Sequence, residues 1–181
     1  MNRSFEGVPI VGVAAWSGTG KTTLLSRLIP QLRDQGLRCA VVKHAHHSFE
    51  IDYPGKDSHA FREAGAEQVL VGSARRWALI VETDPGSEES LGAFLPHLKT
   101  ATLDLIIVEG FKPELIPKIE LYRPAVGKPP LHPEDGSIIA VATDAPEAVD
   151  TTLPVLDIND AAQIRRFIID TVLPAARETR G

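Results

Sequence analysis

The stretch VPIVGVAAWSGTGKTTLL, residues 8–25, passes from an apolar segment through a glycine-containing turn into a helix. Its first part, residues 10–14, is short and shows no polar alternation, which is typical of a strand covered on both faces. The segment AWSGTGKT, residues 15–22, then matches the G-x-x-x-x-G-K-[ST] pattern of a phosphate-binding P-loop, with Ala15 at the first glycine position. The stretch therefore predicts a strand, a P-loop and a helix in that order.

Each residue type in this loop suits phosphate binding. Gly18 and Gly20 can turn their N–H groups into one concavity, where no Cβ keeps phosphate oxygens away. Lys21 is predicted to reach the β- and γ-phosphates, and Thr22 to offer its hydroxyl to Mg²⁺. The dipole at the N-terminus of the following helix favours the same anion. A glycine turn that binds nothing is the alternative, but it gives no reason for lysine and threonine at these offsets.

The composition indicates one soluble domain. A chain of 181 residues lies within the range of a single domain. Its net charge of −5 argues against broad nucleic-acid binding. The single cysteine, Cys39, excludes an intramolecular disulfide and is expected to be a small buried hydrophobe. Residues 1–7 are too short and polar for a signal sequence, and no apolar run approaches a membrane span, so we expect a cytoplasmic protein without a membrane partner.

The rest of the chain predicts a single P-loop NTPase domain over residues 1–181, α/β in class. Further strands at residues 38–43, 105–109, 137–143 and 154–158 predict a three-layer α/β/α fold with a mostly parallel sheet. Residues 68–72 and 78–82 predict a hairpin that extends this sheet with an antiparallel edge. The strand KIELYR, residues 118–123, alternates in polarity and is predicted to be half exposed. Residues 124–136 contain four prolines and two glycines and predict a long surface loop.

Two carboxylates are candidates for the magnesium side of the site. Glu109 ends an apolar strand and is followed by glycine, as the acidic residue of a Walker B strand is. Asp52 lies in a polar segment, residues 44–59, which leaves the carboxyl end of a strand beside the P-loop. We therefore expect Thr22, Asp52 and Glu109 to surround the metal ion, directly or through water.

The same segment is rich in basic and ionisable side chains. Lys43, His44 and Lys56 are predicted to lie near the anionic groups of the nucleotide. A zinc or iron site is an alternative, although the spacing matches no structural zinc pattern and no cysteine contributes. A solvated polar loop is the second alternative. The histidines whose roles stay open are His44, His46, His47 and His59.

One further carboxylate is a candidate for base recognition. Asp144 follows a buried parallel strand, at the edge of the sheet that faces the ligand. There it can accept hydrogen bonds from N1 and the exocyclic amino group of guanine, a pattern that adenine does not offer. A helix or turn cap before Ala145 and Pro146 explains Asp144 equally well. Guanine reading by Asp144 thus stays open.

The chain resembles the MobB family of molybdopterin-guanine dinucleotide biosynthesis adapter proteins over nearly its whole length. The segments that carry the resemblance are, in order, AAWSGTGKTTL, VVKHAHHSFEIDYPGKDS, RRWALIVET, LDLIIVEGFK, AVATDAP and LDIND. The P-loop itself is generic. The histidine-rich segment that leads to GKDS, followed by VEGFK, is specific.

The resemblance implies a GTP-binding homodimer with weak GTPase activity. Its partners are expected to be the molybdenum cofactor guanylyltransferase, which joins GMP to molybdopterin, and molybdopterin-handling proteins. GTP and Mg²⁺ are the expected cofactors, with Lys21, Asp52 and Glu109 as the candidate catalytic residues. The predicted nucleotide-binding residues are Ala15, Ser17, Gly18, Thr19, Gly20, Lys21, Thr22, Thr23, Lys43, Lys56 and Asp144.

Two other functions stay open on the sequence. One is a small-molecule kinase, in which His46 or Asp52 positions an acceptor hydroxyl and Arg75 and Arg76 bind its anionic group. The other is a carboxylate-activating synthetase of the dethiobiotin type, which shares the strand-glutamate-glycine ending. For the adapter we expect slow hydrolysis, because the sequence offers no arginine-finger candidate and no glutamine placed to orient water.

Overall fold

The computed structural model describes residues 1–45, 49, 51–84 and 89–178. Two compact units make up the chain. The first contains Met1–His44 and Ser90–Gly181, and the second contains Ala45–Glu89. The organisation of residues 1–181 as one domain stays a prediction.

The first unit contains a seven-stranded sheet. Its strands are β1 (Ser4–Phe5), β2 (Val8–Ala14), β3 (Cys39–Lys43), β6 (Leu105–Glu109), β7 (Lys118–Tyr122), β8 (Ile138–Thr143) and β9 (Val155–Asp157). The order β3-β6-β2-β7-β8-β9 is parallel throughout, and β1 pairs with β2 in the antiparallel sense. The P-loop strand β2 therefore lies between β6 and β7, at a point where the strand order reverses and ligands bind in such sheets.

Helices cover both faces of this sheet. They are α1 (Lys21–Asp34), α3 (Leu91–Phe94), α4 (Ala161–Phe167) and α5 (Leu173–Glu178). Alternate residues of β2 enter two separate cores: Val11 packs in the cluster that contains Leu28 and Ile164, and Ile10 in the cluster that contains Leu91. Strand side chains alternate between faces, so these two cores lie on opposite sides of the sheet. The predicted three-layer, mostly parallel architecture is confirmed.

The C-terminal helical segment is widened at its centre. A π-helical turn, Ile168–Val172, joins α4 to α5. Pro174 follows at the second position of α5, and in a regular helix its ring would clash with the carbonyl of Asp170. The wider turn relieves that clash. Among the described residues, no helix combines the length and the apolar character needed to cross a membrane.

The predicted hairpin forms, but outside the main sheet. In the second unit, β4 (Gln68–Gly72) and β5 (Trp77–Val81) pair in the antiparallel sense as a separate two-stranded sheet, preceded by α2 (Asp57–Glu63). The prediction of an antiparallel edge extension is therefore wrong, and the antiparallel strand of the main sheet is β1. A short turn determines only the local pairing of its two strands, so it carries no information on whether a larger sheet continues from them.

The prediction for β7 is also wrong in one respect. Lys118 and Glu120 on one face, and Ile119 and Leu121 on the other, are each only 1% exposed, so neither face of the strand meets solvent. The Lys118 ammonium donates to Asp135 Oδ2 at 2.9 Å and to Ser137 Oγ at 2.8 Å. The stem of Lys118 crosses β2 at Gly12, where a Cβ would lie 2.9 Å from Lys118 Cγ. The two alternating charged residues are buried here because the predicted 124–136 loop supplies hydrogen-bond partners for both of them.

Candidate functional site

The loop between β2 and α1 has the backbone of a P-loop. Gly18 and Gly20 take left-handed φ values of +83° and +105°. A Cβ on either would meet no atom within 4 Å, so glycine is required there by conformation rather than by space. The Thr19 hydroxyl and N–H donate to the Trp16 carbonyl at 2.9 and 3.4 Å. These bonds hold the loop in a tight arc that ends at the N-terminus of α1.

Ala15 occupies the first glycine position without strain. Its φ is not positive, and its side chain is buried in the core cluster that α1 shares with the sheet. A methyl group therefore fits where the loop leaves β2. Beyond it, Ser17, Thr22 and Thr23 are exposed, at the mouth of the loop and in the first turn of α1. These are the positions from which hydroxyl groups can reach a bound phosphate or its metal ion.

Lys21 lies across the loop. Its ammonium donates to the carbonyls of Trp16 at 3.1 Å and Ala15 at 3.4 Å. Burial lowers the pKa of Lys21, the Glu109 carboxylate opposes this shift, and the nearby ammonium groups of Lys112 and Lys43 lower the pKa further. A bound anion would relieve the repulsion among these three cations.

Glu109 lies beside the loop at the carboxyl end of β6. It is in register with Val13 on β2 and with Lys43 on β3. Its side chain is 13% exposed, and Oε2 lies 3.9 Å from Lys43 Nζ. Gly110 then turns the chain with φ +89°, and a Cβ there would lie 2.7 Å from His44 Cβ. Glycine at position 110 is thus required both by its backbone conformation and by the close approach of His44.

The donor set beside the P-loop fits magnesium. Mg²⁺ is usually held by one or two protein oxygens, with substrate phosphates and waters completing its octahedron. Thr22 and Glu109 offer a hydroxyl and a carboxylate of that kind. Within the described parts of the chain, no group of three or more His, Cys, Asp or Glu side chains forms a metal site of its own. This finding leaves the zinc or iron alternative without support among those residues.

Asp52 and Lys56 belong to the second unit. Asp52 is 8% exposed; its Oδ1 accepts the Tyr53 N–H at 3.0 Å, whereas Oδ2 is buried and no described residue donates to it. Such a carboxylate oxygen is one that a metal ion or ligand can satisfy. Lys56 is exposed and directly precedes α2. The predicted approach of both side chains to the nucleotide stays a prediction.

The structure describes two of the four histidines whose roles the sequence left open. His44 directly follows β3, and its ring lies 4.8 Å from the Phe111 ring, centroid to centroid. His59 is half-buried on α2. His46 and His47 lie outside the described residues. The structure therefore does not bear on the candidate role of His46 in positioning the acceptor hydroxyl of a kinase.

Asp144 lies where it was predicted, directly after β8 at the carboxyl edge of the sheet. It lines a cavity of about 310 Å³ together with Thr143, Pro146, Val155, Leu156, Asp157, Asn159 and Gln163. Its carboxylate forms an ion pair with Arg123. The Thr143 hydroxyl, rather than Asp144, accepts the N–H of Ala145 at 3.1 Å, so no observed hydrogen bond supports the capping alternative.

Sequence reasoning missed two sets of contacts that the P-loop makes, one through Arg123 and one through Trp16 of the loop itself. Arg123, directly after β7, donates from Nε to the Thr19 carbonyl at 3.1 Å. Trp16 donates from its indole N–H to the Pro129 carbonyl at 2.8 Å, and the Lys112 ammonium lies 4.1 Å from its ring centroid. The signal for Arg123 was present, because a charged residue directly after a parallel strand lies at the ligand-binding edge. No local pattern could have paired Trp16 with residue 129.

Known proteins resemble this chain over most of its length. The family model described as molybdopterin guanine dinucleotide synthesis protein B matches residues 10–144. The molybdopterin-guanine dinucleotide biosynthesis adapter protein of Escherichia coli (strain K12) is 47% identical over 164 residues, which cover 90% of this chain and 93% of that protein. The protein of the same name from Haemophilus influenzae is 44% identical over 161 residues, covering 89% and 88%.

A solved structure shares the architecture. It is described as the crystal structure of molybdopterin-guanine biosynthesis protein B, and it superposes with a TM-score of 0.70 at 29% identity. The match covers 90% of this chain and 98% of that one. The P-loop and the strand that carries Glu109 both lie within the range of residues that the family model matches.

Proposed function

This chain belongs to the MobB family and is an adapter protein of molybdopterin guanine dinucleotide biosynthesis, and we propose that it performs this role by binding GTP with Mg²⁺ at its P-loop. The observation that carries the proposal is the juxtaposition of Lys21, at the start of α1, with Glu109 at the end of β6. The first supplies positive charge for the terminal phosphates, and the second supplies an oxygen ligand for the cation that bridges them.

Guanine is the base that this site suits. Asp144 offers carboxylate oxygens at the wall of a cavity at the carboxyl edge of the sheet. Guanine presents two N–H donors to such a group, whereas adenine presents an acceptor at N1. A site built to accept those donors disfavours the base that lacks them. We therefore propose that GTP binds in preference to ATP.

We also propose that the protein acts as a homodimer through its hairpin. Leu70, Trp77, Leu79 and Val81 lie on one face of the β4-β5 sheet and are 66%, 52%, 40% and 43% exposed. A two-stranded sheet is marginal by itself and needs an apolar cover. A second copy of the chain offers the same face, so a two-fold contact would bury both. Sedimentation of the wild type and of Leu79→Glu tests this: a dimer is expected for the first only, and equal mass for both contradicts it.

We propose that the protein hydrolyses GTP only weakly. We also propose that it acts in the cytoplasm and that bound GTP favours docking of the guanylyltransferase. Among the described residues, none that lines the cavity next to the P-loop is a glutamine that could orient a water. An adapter needs its nucleotide as a stable part of a docking surface rather than as a rapidly consumed substrate. Co-purification of the guanylyltransferase with and without GTP tests this role: recovery that does not depend on GTP would contradict it.

Displacement of a fluorescent GTP analogue tests which nucleotide the protein prefers. GTP is expected to compete at least tenfold more effectively than ATP, because only guanine donates N–H groups to the Asp144 carboxylate, and a hydrogen bond to a charged group is worth about 1.5–3 kcal/mol. Equal competition would refute guanine reading. Phosphate release is expected without any added acceptor, and its stimulation by the guanylyltransferase would support the adapter. Acceptor-dependent ADP formation would instead favour the small-molecule kinase.

A further inference from the structure

Arg123 joins three separate segments at the edge of the sheet. Its Nε donates to the Thr19 carbonyl of the P-loop at 3.1 Å. Its Nη1 pairs with Asp144, which follows β8. Its Nη2 donates to Asn159 Oδ1, after β9, at 2.8 Å. One guanidinium therefore connects the phosphate loop to both segments that follow the last two strands.

Only arginine can make this arrangement. The guanidinium is a planar group with donors on three nitrogens, and its geometry holds three acceptors in set directions. A lysine ammonium at the same place carries the same charge, but it is a single nitrogen at the end of a flexible stem. The Arg123 side chain is 28% exposed and that of Asp144 is 33% exposed, so this pair is partly shielded from water. Its geometry is therefore more persistent than that of a fully exposed ion pair.

The cavity next to the P-loop places Arg123 between the two ends of a nucleotide. This cavity of about 150 Å³ is lined by Gly18, Gly20 and Thr23 on one side and by Arg123 and Asn159 among its other residues. The loop amides and the start of α1 form its phosphate side. Asn159 also lines the larger cavity that contains Asp144. A nucleotide held by the P-loop would therefore extend past Arg123 to reach the carboxylate.

We propose that Arg123 is a positioning residue that couples guanine selection to the geometry of the phosphate loop. This inference rests on the proposed binding of GTP and deepens it. Arg123 holds the Asp144 carboxylate and the Thr19 carbonyl at a set separation, so the base reader is correctly placed only when the P-loop has the conformation described above. The triphosphate and the guanine base of GTP then contribute to binding together, whereas ATP gains binding energy from its phosphates alone.

The test compares Arg123→Lys with the wild-type full chain, using GTP, ATP and inorganic tripolyphosphate as competitors of a fluorescent GTP analogue. Arg123→Lys is expected to lower the ratio of GTP to ATP affinity about tenfold, the effect of losing one charge-assisted contact. Tripolyphosphate affinity is expected to change less than about threefold, because the Lys21 contact and the loop amides remain. Arg166→Lys is the matched control, since Arg166 pairs with Asp160 at 3.8 Å in the same region without touching the P-loop.

The outcomes separate this inference from the function on which it rests. Wild-type selectivity for GTP that persists in Arg123→Lys overturns the coupling alone. A parallel loss of GTP, ATP and tripolyphosphate affinity also overturns it, because Arg123 would then only shape the P-loop. A wild-type protein without GTP preference overturns the proposed function as well. Asn159→Ala removes one contact of Arg123 and should lower selectivity about threefold, which tests the coupling even if Arg123→Lys melts at a lower temperature.

Discussion

Replacing Glu120 with glutamine tests whether a buried carboxylate holds the 124–136 loop on the sheet. Glu120 Oε1 accepts the Leu131 N–H at 2.6 Å, and Oε2 accepts the His132 N–H at 2.9 Å. The Nδ1 atom of the His132 ring lies 2.8 Å from the same Oε2. The carboxylate is thus an acceptor on both oxygens, and Glu120 is 1% exposed. Glutamine keeps the shape but offers only one oxygen.

The magnitude follows from these contacts. The glutamine amide must turn its NH₂ toward one backbone N–H, which leaves a buried donor unpaired at a cost of about 1–3 kcal/mol. The remaining bonds lose their charge assistance, at roughly 0.5–1.5 kcal/mol each. Removing a buried charge lowers the desolvation cost and offsets part of this loss. We expect a net destabilisation of about 2–4 kcal/mol, which corresponds to a fall in Tm of roughly 5–15 °C for a chain of this size.

Thermal unfolding of the full chain, followed by far-UV circular dichroism at pH 7, measures the effect. Glu134→Gln is the control, because Glu134 is exposed on the same loop and such surface changes alter stability by about 0.5 kcal/mol or less. A Glu120→Gln protein that melts within about 2 °C of wild type would refute the reasoning. It would mean that the loop is held by its other contacts and that the carboxylate contributes no net stability.

Three further predictions concern the phosphate site and the second buried pair. Lys21→Ala should weaken GTP binding roughly 100- to 1000-fold, since a contact between unit charges 4 Å apart is worth about 4 kcal/mol near a protein surface, yet it should leave Tm nearly unchanged. Isothermal titration measures the binding and thermal melting measures Tm; a loss of both binding and stability would mean that the loop is structural. Glu109→Gln should weaken GTP binding about tenfold with Mg²⁺ present but not with EDTA, and an equal loss under both conditions would refute the metal role. Asp135→Asn should cost about 3–5 kcal/mol in urea unfolding at pH 7, because it leaves the buried Lys118 ammonium without its carboxylate. Burial acts to raise the pKa of Asp135, but hydrogen bonds from Ser137 and Lys118 outweigh it and hold the pKa below its usual 3.8. The stability that Asp135 contributes is therefore present above pH 3.8, and as the pH falls through the lowered pKa the stability of the wild type should approach that of the variant. A constant difference in stability down to pH 2 would contradict the assignment.

Local patterns predicted the parts of the site that local chemistry determines. A P-loop needs glycines that adopt positive φ, a lysine and a hydroxyl within eight residues, and Gly18, Gly20, Lys21 and Thr22 satisfied that need in the structure. Glu109 was predictable because a buried parallel strand that ends in a carboxylate places it at the ligand edge. These inferences depend on residues close in sequence, where the backbone itself sets the geometry.

Long-range partners were not predictable from such patterns. The burial of Lys118 and Glu120 depends on residues 11 to 19 positions further along the chain, and the contact of Arg123 with Thr19 spans 104 positions. A charged residue in an alternating strand predicts exposure unless its counter-charge is known. The hairpin was read correctly from its short connector, but its separation from the main sheet was not.

The amino-acid sequence by itself determined the class of fold and the P-loop, because each follows from hydrophobic periodicity or from residues that act within one turn of chain. The family followed from the resemblance of several segments to MobB proteins. The tertiary structure alone decided which distant side chains come into contact. Arg123 pairs with Asp144 and donates to Asn159, and Glu120 accepts a hydrogen bond from His132 of the 124–136 loop. The physical reason is that charges and hydrogen-bond donors are satisfied by proximity in space, and the strand order β6-β2-β7-β8-β9 brings together segments that are distant along the chain.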